Sequence, residues 1–124
     1  MSKELKIYYI GKDLKYFDKI KSQFDGSYEE IEKHYKNSAI IDHEHVKVIF
    51  IEIYTEMPDI VFIDCSQGGE KEFRLAKLLN RNNELRRISV VGLFDYNTSK
   101  RMLKDAISSS IRIMHYKGID NHSV

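Results

Sequence analysis

The stretch Pro58-Asp59-Ile60-Val61-Phe62-Ile63-Asp64 decides how this chain folds. Four consecutive apolar residues, mostly β-branched, stand between a Pro-Asp pair and a second aspartate. A run that short, apolar at every position rather than at alternate ones, reads as a strand buried on both faces, the pattern of a parallel sheet between two layers of helix. Working outward, Ile88-Ser89-Val90-Val91-Gly92-Leu93-Phe94 carries the same signature, Lys6-Ile7-Tyr8-Tyr9-Ile10 repeats it near the start, and Ile111 to Tyr116 supplies a further strand near the end.

Helical patterns fill the intervals. Leu14, Phe17, Ile20 and Phe24 recur at steps of three and four, as do Phe73, Ala76 and Leu79 with Leu75 beside them. Met102, Leu103, Ala106 and Ile107 form another stripe, with Asn97 and Thr98 as candidate caps. Strand alternating with helix predicts right-handed βαβ crossovers and an open doubly wound sheet, whose functional residues sit at the carboxyl ends of the strands. The segment from Ser27 to Met57 is less regular. Tyr28 to Glu32 suits a polar edge strand and Lys36 to Asp42 a loop. Val46 to Tyr54 is β-branched enough for a strand, yet Val46, Ile49, Phe50, Ile53 and Met57 fit one helical stripe, and a helix preserves the alternation.

At 124 residues the chain is read as one domain, 1–124, large enough to bury a core without disulfides or metals. Twenty Lys and Arg against 19 Asp and Glu leave a net charge of +1, so bulk charge steers it toward neither nucleic acid nor an anionic membrane. The single Cys65 cannot pair within the chain, the first residues lack the apolar segment of a secretory signal, and no apolar run approaches the ~20 residues of a membrane span. A cytoplasmic location is therefore expected. Weaker candidates carry little chemistry. His43 and His45 beside Asp42 have an i, i+2 spacing that splits them across a helix, Cys65 suits a core filler, and Gly11 and Gly68-Gly69 belong to no phosphate-binding loop.

The run from Pro58 to Asp64 resembles the third strand of a response-regulator receiver, in which a Pro-Asp pair and four apolar residues precede the phospho-accepting aspartate. Ile49, Phe50 and Ile53 fall where receivers carry the apolar face of their second helix, and Ile88 to Leu93 is similar to their fourth strand. Ala106, Ser110-Ile111 and Lys117 follow the family's later spacing, so the resemblance covers residues 5 to 118 in order. It implies a receiver or flavodoxin-like fold with a five-stranded parallel sheet of order 2-1-3-4-5. It also implies phosphoryl transfer to Asp64 assisted by Mg²⁺, a hard cation that wants oxygen ligands.

The same comparison shows that chemistry undone. The acidic pair expected after the first strand is replaced by Gly11 and Lys12, and Asp13 matches only a less demanding third position. Two readings of Lys12 stand: its ammonium fills the metal's place and pairs with Asp64, or it points to solvent. Phe94 stands where receivers use a Ser or Thr hydroxyl to bind the phosphoryl group and switch conformation. Lys117 matches the family's phosphate-contacting lysine, here poised for a structural salt bridge to Asp64, but Gly118 replaces the proline after it. Cys65-Ser66-Gln67-Gly68-Gly69 replaces the usual Met and Pro beyond the acceptor.

Receivers end in a fifth helix, and only Gly118 to Val124 follow Lys117 here. That helix is therefore missing or truncated, or the chain is the N-terminal part of a longer protein. The resemblance implies association, with a protein partner or as a homodimer, through the fourth helix and fifth strand. The expected function is a non-enzymatic, phosphorylation-independent pseudo-receiver that binds protein and needs no cofactor. Two alternatives stand beside it: a genuine phosphorelay receiver using Asp64, with Mg²⁺ held by Asp13 and Asp64, and a small flavodoxin-like enzyme domain.

Overall fold

Every apolar run singled out in the sequence becomes a strand. In the computed structural model the described residues are 4–24, 30–37, 43–66, 69–95, 98–109 and 111–116. The elements run β1 (Glu4–Gly11), α1 (Leu14–Ser22), β2 (Glu30–Asn37), α2 (His43–Glu56), β3 (Ile60–Asp64), α3 (Glu70–Arg81), β4 (Ser89–Phe94), α4 (Lys100–Ser108) and β5 (Arg112–Tyr116), with a 3₁₀ turn at Asn83–Leu85. The strands are parallel and ordered β2-β1-β3-β4. β5 lies parallel against the free side of β4, with its register broken between Gly92 and Phe94.

Because successive side chains of a strand point to opposite faces, each central strand feeds two cores. Tyr8 and Ile10 of β1, Val61 and Ile63 of β3, and Phe94 of β4 pack beneath α2, α3 and α4 with Ile49, Ile53, Phe73, Leu75, Ala76, Leu79 and Ala106. Ile7, Tyr9, Phe62 and Leu93 face the other way, where Tyr16, Phe17 and Ile20 of α1 cover them. Two-sided burial explains why these strands read as unbroken apolar runs. Among the described residues no helix is long and apolar enough to cross a membrane.

The irregular region resolves as strand, then helix. β2 reaches Asn37, beyond the polar stretch expected to form it, and takes in two residues assigned to a loop. Aromatic stacking on β1 supports the extension: His34 lies on Tyr8 at 4.4 Å between ring centroids and Tyr35 on Tyr9 at 5.7 Å. α2 is a helix despite its β-branched residues, because Ile49 and Ile53 are buried on one face. Met57 is not part of its stripe. It ends the helix in a left-handed conformation with φ 46°, its N–H bonded to the Ile53 carbonyl, just before Pro58, which cannot continue a helix.

Other details differ as well. Leu14, at the first position of α1, is exposed while Tyr16 is buried instead. The cap of α4 is Ser99, whose hydroxyl accepts from the Met102 N–H at 3.1 Å, rather than Thr98, whose hydroxyl receives the Asp95 N–H. Ile107 of the expected apolar stripe is 67% exposed. Asn97, Gln67, Gly68, Asp42 and the whole tail from Lys117 lie outside the described residues, so the expectations placed on Lys117, Gly118 and the missing fifth helix do too.

Candidate functional site

The carboxyl ends of β1 and β3 bring four of the singled-out positions together. β3 delivers Asp64 at the top of the sheet, 7% exposed, on the layer that α1 covers. The chain then turns, and Ser66 folds back on the aspartate: its N–H and hydroxyl both donate to Asp64 Oδ1, at 3.0 and 2.5 Å. Such an Asx-type turn fixes the carboxylate in one orientation. From β1, the Tyr9 hydroxyl donates to the other oxygen, Oδ2, over a long 3.4 Å.

Tyr9 was not singled out in the sequence, yet it explains Gly11. Residues 9 and 11 project to the same face of β1, and the Tyr9 phenol turns back over Gly11, so that a Cβ there would sit 2.5 Å from the Tyr9 hydroxyl oxygen. The space in which an acidic side chain at position 11 would begin is already filled by that phenol. Burial pushes the Tyr9 pKa far up, and the neighbouring Asp64 charge adds to the rise, so the phenol stays protonated and acts as a donor. Tyr16 is pushed up to about 12 by burial, with help from Asp64 and Asp13.

Lys12 is the correction at this site. The ion pair found for it is with Glu72 of α3, Nζ lying 3.9 Å from Oε2, and not with Asp64. The lysine is half-exposed, while Glu72 is 3% exposed and its Oε2 has no hydrogen-bond partner among the described residues. A buried carboxylate is costly unless a cation compensates it, so Glu72 draws Lys12 away from the aspartate. Glu72 could have been suspected only from its place among Phe73, Leu75 and Ala76 on the buried side of α3.

Asp13 caps α1, its Oδ1 accepting from the Tyr16 N–H at 3.1 Å with the backbone extended at φ −118°. Phe94 lies in the opposite core layer, fully buried, edge-on to Phe73 at 6.4 Å. Its ring passes over Gly92, where a Cβ would meet it at 2.7 Å. Cys65 is buried, and desolvation pushes its thiol pKa well up, with the Asp64 and Glu72 charges adding to it, so the protonated thiol is favoured. Of the His43 and His45 pair, the described structure gives only the backbone, within α2.

These donors do not fit Mg²⁺. An octahedral ion bound by protein needs converging oxygens. Here position 11 has no side chain, position 12 carries a cation, Asp13 is committed to a helix end, and both Asp64 oxygens already accept hydrogen bonds. No group of three His, Cys, Asp or Glu side chains is placed to hold a metal among the described residues.

No protein-family model matches the chain, and no curated protein matches it in sequence. Solved structures do. A protein described as pilus assembly-related, from Burkholderia pseudomallei, superposes with a TM-score of 0.59 at 15% identity, covering 90% of this chain and 77% of that one. A response regulator receiver protein from Burkholderia phymatum gives 0.59 at 10% identity, with 92% and 83% covered. A response regulator from Colwellia psychrerythraea gives 0.54 at 12%, with 90% and 82% covered. At such low identity the likeness speaks for the fold alone. With the strand order and the two helical layers, it establishes that this chain has the fold of response-regulator receivers.

Proposed function

We propose that the chain is a pseudo-receiver, a signalling module that works by binding protein and not by accepting phosphate on Asp64. In this reading β5 completes the five-stranded 2-1-3-4-5 sheet of the family, and its edge with α4 supplies an association face, for a partner or a second copy. The observation that carries it is the Tyr9 phenol, which fills the place of an acidic ligand over Gly11 and donates to Asp64. Phosphoryl transfer brings negative charge to the acceptor and needs a cation there to offset it. The nearby cation, Lys12, is engaged by Glu72. Phe94 adds support from the output side, since a buried phenyl ring can neither accept nor donate the hydrogen bond through which a hydroxyl senses a phosphoryl group.

Incubation with acetyl phosphate and Mg²⁺ followed by intact-mass measurement tests the proposal. The expected result is no phosphoryl adduct. An adduct abolished by Asp64→Asn would establish the phospho-accepting alternative instead.

A further inference from the structure

The net charge of +1 hides a segregated surface. A groove of about 340 Å³ runs between α2 and α3, and its walls hold Lys47, Arg74, Lys77 and Arg81 with no carboxylate among the described lining residues. Its floor is apolar, built from Val46 and Leu78, the latter 41% exposed. Arg74 and Lys77 stand on the ridge between this groove and a wider one of about 700 Å³ between α3 and α4. There Arg101 and Lys104 add positive charge against Glu70 and Asp105.

Several lysines elsewhere are paired, Lys6 with Glu56, Lys21 with Asp18 and Lys36 with Glu52. On this face Lys71 and Lys77 are engaged, Lys77 by Asp105 at 2.9 Å and by the Phe73 ring beneath it. Lys47, Arg74, Arg81, Arg101 and Lys104 make no ion pair among the described residues. Like charges gathered on three adjacent helices repel one another, and Asp105 offsets only part of them, through its pair with Lys77 and the nearby Arg81 charge. The exposed Leu78 beside them gains nothing from water.

From this complementarity we infer that the α2–α3 groove, with the ridge of α3, is a docking site for an acidic amphipathic segment of a partner protein. Apolar side chains of the segment would rest on Val46 and Leu78 while its carboxylates meet Arg74, Arg81 and Lys47. A nucleic-acid backbone would satisfy the cations but present nothing to the apolar floor, and a planar bilayer does not enter a concave groove. The inference rests on the protein-binding reading but not on the α4–β5 face, nor on the inertness of Asp64.

Fluorescence anisotropy with a labelled peptide, carrying Leu at i, i+3, i+4 and i+7 and Asp or Glu elsewhere, tests it on the full chain. Saturable binding is expected, weakened about tenfold by Arg74→Glu with Arg81→Glu and by a similar factor in high salt. Leu78→Asp should weaken it as well, whereas Ile107→Asp, exposed on α4 but lining neither groove, should not. Arg74→Gln with Arg81→Gln, a milder exchange checked by circular dichroism, guards against misfolding and should also lower affinity. No binding of the peptide, binding indifferent to both arginine pairs, or tighter binding of a labelled DNA duplex or of phosphatidylserine vesicles would each overturn the inference.

Discussion

Gly11 and Gly92 each lie beneath an aromatic ring of their own strand, and in both cases the ring takes the room a side chain would need. A Cβ on Gly11 would meet Tyr9 at 2.5 Å, and one on Gly92 would meet Phe94 at 2.7 Å. Restoring an acid by Gly11→Asp is therefore expected to destabilise the protein by about 1–3 kcal/mol, the usual cost of overpacking. Tyr9→Leu costs stability by itself, through the lost ring stacking and the lost bond to Asp64. The two changes together should be less damaging than their sum by roughly 1 kcal/mol or more, since Tyr9→Leu removes the atoms that clash. Urea unfolding of the four proteins measures the coupling, and strict additivity would refute the steric account. Asp64 was legible in the sequence because a strand's end is fixed by its apolar run. Tyr9 was not, because a buried tyrosine that closes a site has the same pattern as one that only fills a core. What betrays it is the glycine two residues on, in the place of an acid.

Among the elements, those buried on two faces were the plainest to read and those at the edge the hardest. β3 and β4 are covered on both sides, so all but Ser89 of their runs is apolar and their ends stand out. β2 is mostly charged and polar, with His34 and Tyr35 side by side, and it extends because Tyr8 and Tyr9 offer rings to stack upon, which no local pattern reports. α2 could be told from a strand by the helical spacing of Ile49 and Ile53 and by its place between two strands, not by the propensity of its residues. α4 shows what periodicity leaves out: Met102 and Ala106 face the core, yet Ile107, one step further round, is 67% exposed beside half-buried Leu103. Ile107 is absent from the lining of the α3–α4 groove, to which α4 gives Arg101, Met102 and Lys104, so it stands on another flank of the helix. If that flank is an association face, light scattering should show a mass above the monomer at high concentration, and Ile107→Asp should return it to the monomer with the far-ultraviolet circular dichroism unchanged. A monomer at every concentration, with no partner retained through this flank, would remove the α4–β5 face from the proposal.

At the scale of the whole molecule, the α1 side of the sheet gathers tyrosines around carboxylates, and this sets how the fold responds to alkali. Tyr9, Tyr16 and Tyr35 all have pKa values raised by burial first, with Asp64 raising the first two and Asp13 all three. For such a group the unfolded chain loses its proton near 10.0 while the folded chain still holds it, so the folded state binds more protons above that pH. The stabilisation is complete below 10.0 and drains away as pH climbs, through about 12 for Tyr16. The urea midpoint should therefore be insensitive to these tyrosines at neutral pH and fall steeply above pH 10. In Tyr9→Phe the fall should be shallower, because one proton fewer separates the two states, while the neutral-pH midpoint drops slightly for the lost bond to Asp64. Tyrosinate absorbance followed in parallel should appear partly before unfolding, from the exposed phenols, and partly with it. If all eight tyrosines ionised near pH 10 with the fold intact, the buried cluster over Asp64 would not exist as described, and the structural argument against phosphoryl transfer would fall with it.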